Sequence, residues 1–244
     1  MNKIPISIKT GWWSFGLLQS LPTEWWKTNR NCYFRSTYEL MPYEFLPPVQ
    51  ISLDDNFEWL QSQPIKKDAL RSQGNPLDEL LKISQQVRLT LPASLTTFVK
   101  REELHQRIRS NTCCDIIACS YSKTNYGYLI PFLSDSQGCV HWNIHLNDHN
   151  QYFIAASLDE YGFLNGAGKP YFDGQIDLQK DDIWYCAPTL SEFMYRFWIE
   201  NEIWFALEGK HPLMPIEQAY FDDFLNALNG RPTQRAPDWW DSPR

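Results

Sequence analysis

The chain has little of what several functional classes require. No apolar run approaches the roughly 20 residues that a membrane-spanning helix needs, and the mean hydropathy is −0.45. Its first residues carry Lys3 but no apolar core or small-residue cleavage site, because Thr10, Gly11 and Trp12-Trp13 interrupt the pattern. No signal peptide is expected. None of the six cysteines (Cys32, Cys113, Cys114, Cys119, Cys139 and Cys186) forms a Cys-x-x-Cys pair. Cys139 and Cys186 fall inside apolar strand patterns. The set reads as buried free thiols of a reducing compartment, not as a disulfide framework. A cytoplasmic location is expected.

Positive charge is also scarce. Lysine and arginine number 22 against 29 aspartates and glutamates, a net charge of −7. The only basic cluster, Lys100, Arg101, Arg107 and Arg109, is interleaved with Glu102 and Glu103. Nucleic-acid affinity comes from clustered cations that displace counterions from phosphates, so neither nucleic acid nor a membrane is expected as a partner. An acidic chain suits a basic one. Gly166 and Gly168 make a Gly-x-Gly, but no dinucleotide or P-loop pattern surrounds it, and Pro170 blocks a following helix. The Tyr161 to Gly174 segment reads as a turn-rich connection between strands.

What is present is an ample core composition: 43% of the 244 residues are hydrophobic, enough for a large domain without staples. Three parts are expected: a tryptophan-rich N-terminal segment over 1–74 packed on the main domain, an α+β domain over 75–230, and a tail over 231–244. The first part holds Trp12-Trp13 and Trp25-Trp26, with a short helix opened by Pro22, and then a strand over 49–53. Asp54 or Asp55 then caps a helix carrying Phe57, Trp59 and Leu60. The tail holds Trp239-Trp240 and is either flexible or folded back as a strap.

Helix signals are clear. Asn75 is a cap, Pro76 stands at the first helical position, and Asp78 and Glu79 sit in the first turn, where the macrodipole favours acids. Leu91-Pro92 opens a second helix with Leu95, Phe98 and Val99 on its apolar side, continued by 102–108. Thr189 and Glu192 form a capping box for a long helix over 190–207. Its Phe193, Phe197 and Trp204 read as a core stripe. Pro215 opens a last helix to about Leu228, ended by Asn229-Gly230.

Between these helices lie strand patterns over 115–120, 126–133, 139–146, 151–157 and 183–187. In the middle one, Val140, Trp142, Ile144 and Leu146 alternate with His141, Asn143, His145 and Asn147. That period of two predicts a sheet with one face packed and the other meeting water or a partner.

This order of elements resembles the SUKH superfamily, the cell-wall-assembly regulators. The residues that carry the likeness are Leu91-Pro92-Ala93-Ser94-Leu95, Tyr128-Leu129-Ile130-Pro131-Phe132, Asp135-Ser136-Gln137-Gly138-Cys139-Val140-His141-Trp142 and Ala187-Pro188-Thr189-Leu190. The likeness covers roughly residues 75–207. Bacterial members are largely immunity proteins encoded beside polymorphic toxins. The resemblance implies an α+β fold with a curved, mostly antiparallel sheet flanked by helices.

The chemistry-bearing residues do not converge on a reaction. His141 and His145 share the polar face of a strand, where positions four apart stand about 13 Å apart. One metal ion cannot bridge them with His149, so no metal is expected. Cys113 or Cys114 with a histidine is a candidate hydrolase pair, but no local signature surrounds it. The carboxylates of Glu200, Glu202, Glu208, Asp222 and Asp223 read as solvated helix faces.

The leading expectation is therefore a non-catalytic, cofactor-free immunity protein that occludes a toxin domain. Its contact residues are expected to be Asp135, His141, Asn143, His145, Asp159, Glu160 and Asp173, with exposed tryptophans as anchors. A regulatory interaction module in cell-wall or stress signalling is the alternative, and the Cys/His hydrolase a third.

Overall fold

A computed structural model gives the fold; it describes residues 8–15, 17, 34–35, 38–41, 43 and 46–229. The expected Pro22 helix, Trp25-Trp26, Cys32 and the 231–244 tail lie outside these residues.

The protein is α+β. Among the described residues an eight-stranded mixed sheet carries the fold. Its strands are β1 (Lys9–Thr10), β5 (Arg71–Ser72), β6 (Asp115–Ile116), β7 (Ser122–Thr124), β8 (Gly127–Ser134), β9 (His141–Leu146), β10 (Tyr152–Ser157) and β11 (Ile183–Ala187). The order across it is β1-β11-β10-β9-β8-β6-β5, with β7 also paired to β8. The centre is antiparallel, and each edge ends in a two-residue parallel strand. A second sheet joins β2 (Trp12–Ser14), β4 (Tyr38–Met41) and β3 (Phe34–Arg35). Ser72 pairs with Ile116, so chain on both sides of the 74/75 boundary shares one sheet.

Six helices are described: α1 (Glu58–Gln61), α2 (Pro76–Val87), α3 (Ala93–Lys100), α4 (Glu102–His105), α5 (Leu190–Glu208) and α6 (Pro215–Asn229). Their starts follow the sequence signals. Asp78 N–H donates to Asn75 Oδ1 at 3.3 Å, and Glu192 N–H donates to Thr189 Oγ1 at 3.1 Å. Asp54 accepts the Glu58 amide at the start of α1. Two expectations fail. Residues 49–53 form no strand. The helix after Leu91-Pro92 breaks at Arg101, whose φ of −100° and ψ of 79° are not helical, and α4 is a separate short turn.

One face of the sheet carries the main core. Trp142 meets Phe193 and Phe197 of α5 at centroid distances of 5.9 and 6.1 Å, and Phe132 meets Phe193 at 5.4 Å. Helix α5 is buried continuously from Phe193 to Ile203. The N-terminal tryptophans explain why. Trp12 packs on Phe193 at 5.3 Å, Trp59 covers Tyr195 and Trp198, and α6 adds Tyr220 against Tyr195. A helix enclosed on all sides needs apolar residues all round.

That enclosure corrects the reading of two of its acids as solvated, while Glu208, near its end, is exposed as expected. Glu200 and Glu202 are buried. Glu202 accepts from Arg109 Nε and Nη2, at 3.1 and 2.7 Å, and from Lys66 Nζ at 2.7 Å. A buried carboxylate persists only with such partners.

Candidate functional site

The alternation in β9 predicts a face open to water, and the structure closes it. His141, Asn143 and His145 are 2%, 0% and 2% exposed. The 158–182 segment, a strap between β10 and β11, crosses this face and builds a second, smaller core. Tyr161, Ile176 and Leu178 from the strap pack with Leu129, Phe153, Ala155, Ile183 and Tyr185. Each fully buried apolar side chain contributes about 1.5–3 kcal/mol. The strap is anchored at Gly162, whose amide donates to Ser122 Oγ at 2.8 Å. Its φ of +78° suits glycine, and a Cβ there would stand 2.6 Å from Pro131 Cδ.

The polar groups under the strap pair with one another in large part, which makes their burial tolerable, although Asn143 Oδ1 has no hydrogen-bond partner among the described residues. Ser134 and His141 face each other in register and share a hydrogen bond between Oγ and Nδ1 at 2.8 Å. Asn143 Nδ2 donates to Ser157 Oγ at 3.1 Å. Thr124 Oγ1 and His145 Nε2 are 3.3 Å apart, and the His145 ring stacks on Phe153 at 4.6 Å. Burial holds the His145 imidazole neutral and lowers its pKa to about 4. Asn143 and His145 are therefore packing groups, out of reach of a partner while the strap is seated.

The strap stops short of the end of the sheet, and a cleft opens there. Its volume is about 320 Å³, and its lining includes Gln73, Asp115, Ser134, Asp135, Gln137, His141, Glu160 and Phe163. Three carboxylates and no lysine or arginine line it. The β8–β9 turn shapes one wall. Asp135 accepts the amides of Gln137 and Cys139, each at 3.2 Å. Gln73 Nε2 donates to Asp115 Oδ2 at 2.7 Å, and Arg71 Nε lies 3.4 Å from Asp115 Oδ1. Arg71 is largely exposed, so solvent screens that contact.

Asp135, His141 and Glu160 thus meet at one cleft. Asp159 and Asp173 lie exposed on the strap, and Asn143 and His145 lie beneath it. Among the described residues no tryptophan is an exposed anchor: Trp12, Trp13, Trp142, Trp184 and Trp198 are buried, and Trp59 and Trp204 are half-buried. Glycine spacing and mixed polarity hid the strap from a periodicity reading. The spaced apolar residues Tyr161, Ile176 and Leu178 were the available signal.

The arrangement is poorly suited to nucleophilic chemistry. Ser134 and His141 touch, but the neighbouring carboxylate, Asp135, is turned onto the amides of its own turn. Cys114 is buried, its thiol pushed up to about 12 by desolvation, and its polar side-chain neighbours are the hydroxyls of Ser110, Thr112, at 3.3 Å, and Tyr38. A thiol in that setting is not a thiolate. Cys139, expected within a strand, precedes β9 and is half-buried. Among the described residues no three His, Cys, Asp or Glu side chains are grouped to hold a metal ion, and no helix is long and apolar enough to cross a membrane.

Compared with known proteins, the chain matches no family model, no curated protein and no solved structure.

Proposed function

We propose that the protein is a non-catalytic binding module of the immunity type. It would act in the cytoplasm by occluding the surface of a basic toxin domain, on a SUKH-like fold. The observation that carries this reading is the cleft at the sheet end. It concentrates Asp115, Asp135 and Glu160 in a concave site without a lining cation. Such a site attracts a lysine or arginine from a partner and speeds encounter with a positively charged surface.

Two further features support it. The net charge of −7 favours a cationic partner at long range. The buried Cys114 thiol is raised by desolvation and the His145 imidazole is held neutral beneath the strap, so neither is poised for turnover, which favours recognition.

Co-expression with any secreted toxin encoded by a neighbouring gene tests the proposal. Rescue of growth and a stoichiometric complex on a sizing column are the expected results. Absence of both sinks the immunity reading. Complex formation with a host cell-wall or stress regulator in place of a toxin would move the assignment to the regulatory alternative.

A further inference from the structure

Apolar side chains left in water concentrate in one short element of the strap. Leu164 and Pro170 form an antiparallel bridge, Tyr171 N–H donates to Phe163 O at 3.0 Å, and Asn165 N–H donates to Lys169 O at 2.8 Å. The result is a small hairpin over 163–172. Its Leu164, Tyr171 and Phe172 are 39%, 59% and 37% exposed, three of the seven large apolar side chains exposed among the described residues. Phe172 is braced edge-on against Tyr161 at 5.2 Å, so it loses little freedom on contact with a partner. Phe163, opposite Tyr171, turns inward onto His141 at 4.7 Å and lines the acidic cleft. The hairpin and the cleft are therefore one continuous surface.

The charge around that surface is predominantly negative. From 158 to 182 the strap holds Asp159, Glu160, Asp173, Asp177, Asp181 and Asp182 against Lys169 and Lys180. Lys180 is engaged with Asp177 at 3.1 Å. Beyond the effect of burial, Asp159, Asp181 and Asp182 all raise the Tyr161 hydroxyl pKa, as converging carboxylates do.

We propose that the 163–172 hairpin and the adjoining cleft are the docking surface of this protein, and that its occupant is an arginine-rich protein segment. The inference rests on the binding-module reading and names the partner chemistry of that same site. An arginine side chain fits both halves: its guanidinium stacks on an exposed tyrosine ring and pairs with a carboxylate beside it. A second copy of this chain would set strap against strap, with like charge opposed. Nucleic acid is repelled for the same reason.

An NMR titration of the isotope-labelled chain with deca-arginine, with deca-glutamate as control, tests this. Amide shifts are expected at Glu160, the hairpin and the Asp135–Gly138 turn, and none with deca-glutamate. The Tyr171→Ser/Phe172→Ser variant is expected to bind about tenfold more weakly, the loss typical of exposed aromatic anchors. If that variant does not fold, Glu160→Gln with Asp173→Asn supplies the same comparison. Shifts centred elsewhere, undiminished affinity in the variant, or a Tyr171-dependent dimer would overturn the inference. Mapping to the hairpin without any complex with the co-encoded toxin would fail the immunity reading alone and leave this surface standing.

Discussion

Trp12 Nε1 donates to Glu200 Oε1 at 2.9 Å, across 188 residues of sequence. The same carboxylate accepts the Phe15 amide at 3.1 Å and the Tyr220 hydroxyl at 2.8 Å. One buried acid thus ties the N-terminal strand β2 and helix α6 to α5. Trp12→Phe keeps an aromatic ring but removes one donor and part of the buried ring volume, so a loss of about 1–3 kcal/mol is expected. Glu200→Ala leaves three buried donors without their acceptor and is expected to cost more. Urea unfolding measures both; a Trp12→Phe change within about 0.5 kcal/mol, as for an exposed site, would contradict the tie.

Acid should weaken the fold through His145. Its pKa is about 4 when folded and about 6.5 when unfolded. The unfolded chain therefore binds the proton first, and stability falls as pH drops from about 6.5 towards 4, by up to about 3 kcal/mol from this residue. Unfolding free energies at pH 7 and near pH 4.5 should differ less in His145→Gln than in the wild type. Equal pH dependence in the two would contradict the buried neutral imidazole.

Gly162 is the seat of the strap. Gly162→Ala combines a positive φ with a Cβ 2.6 Å from Pro131 Cδ, and a cost of about 1–3 kcal/mol is expected. Hydrogen exchange should quicken at Ile176 and Leu178, the strap residues that pack onto the sheet, more than at Trp142. Uniform change across both sites would argue against a separately seated strap.

The adjacent cysteines should differ sharply in reactivity. Cys113 is exposed, whereas Cys114 is buried with a thiol pKa near about 12. At pH 8 that leaves about one Cys114 in ten thousand as thiolate. Brief alkylation followed by peptide mass analysis should label Cys113 and spare Cys114. Comparable labelling of the two would reopen the thiol-hydrolase reading.

Local chemistry made part of the fold legible in the sequence. The Asn75-Pro76 cap, the Thr189 cap and the 183–187 strand are each set by a few neighbouring residues, and each appears where those residues put it. Long-range contacts were not legible. The edge strands β1 and β5 are two residues long and exist only through their partners. Burial of Glu200 and Glu202 depends on donors far away in the chain. Alternation in β9 reported two kinds of side chain on two faces, but it could not report that the strap would cover the polar one. Of the expected contact residues, Asp135, His141 and Glu160 meet at the cleft, because they bracket the turns at one end of the sheet.

The affinity of the wild type and of Tyr171→Ser/Phe172→Ser for the cognate toxin that the immunity proposal requires, measured by titration calorimetry, tests the account most directly. A wild-type complex that weakens about tenfold or more in the variant is the predicted result. No wild-type complex, or equal affinity in the two proteins, would contradict it.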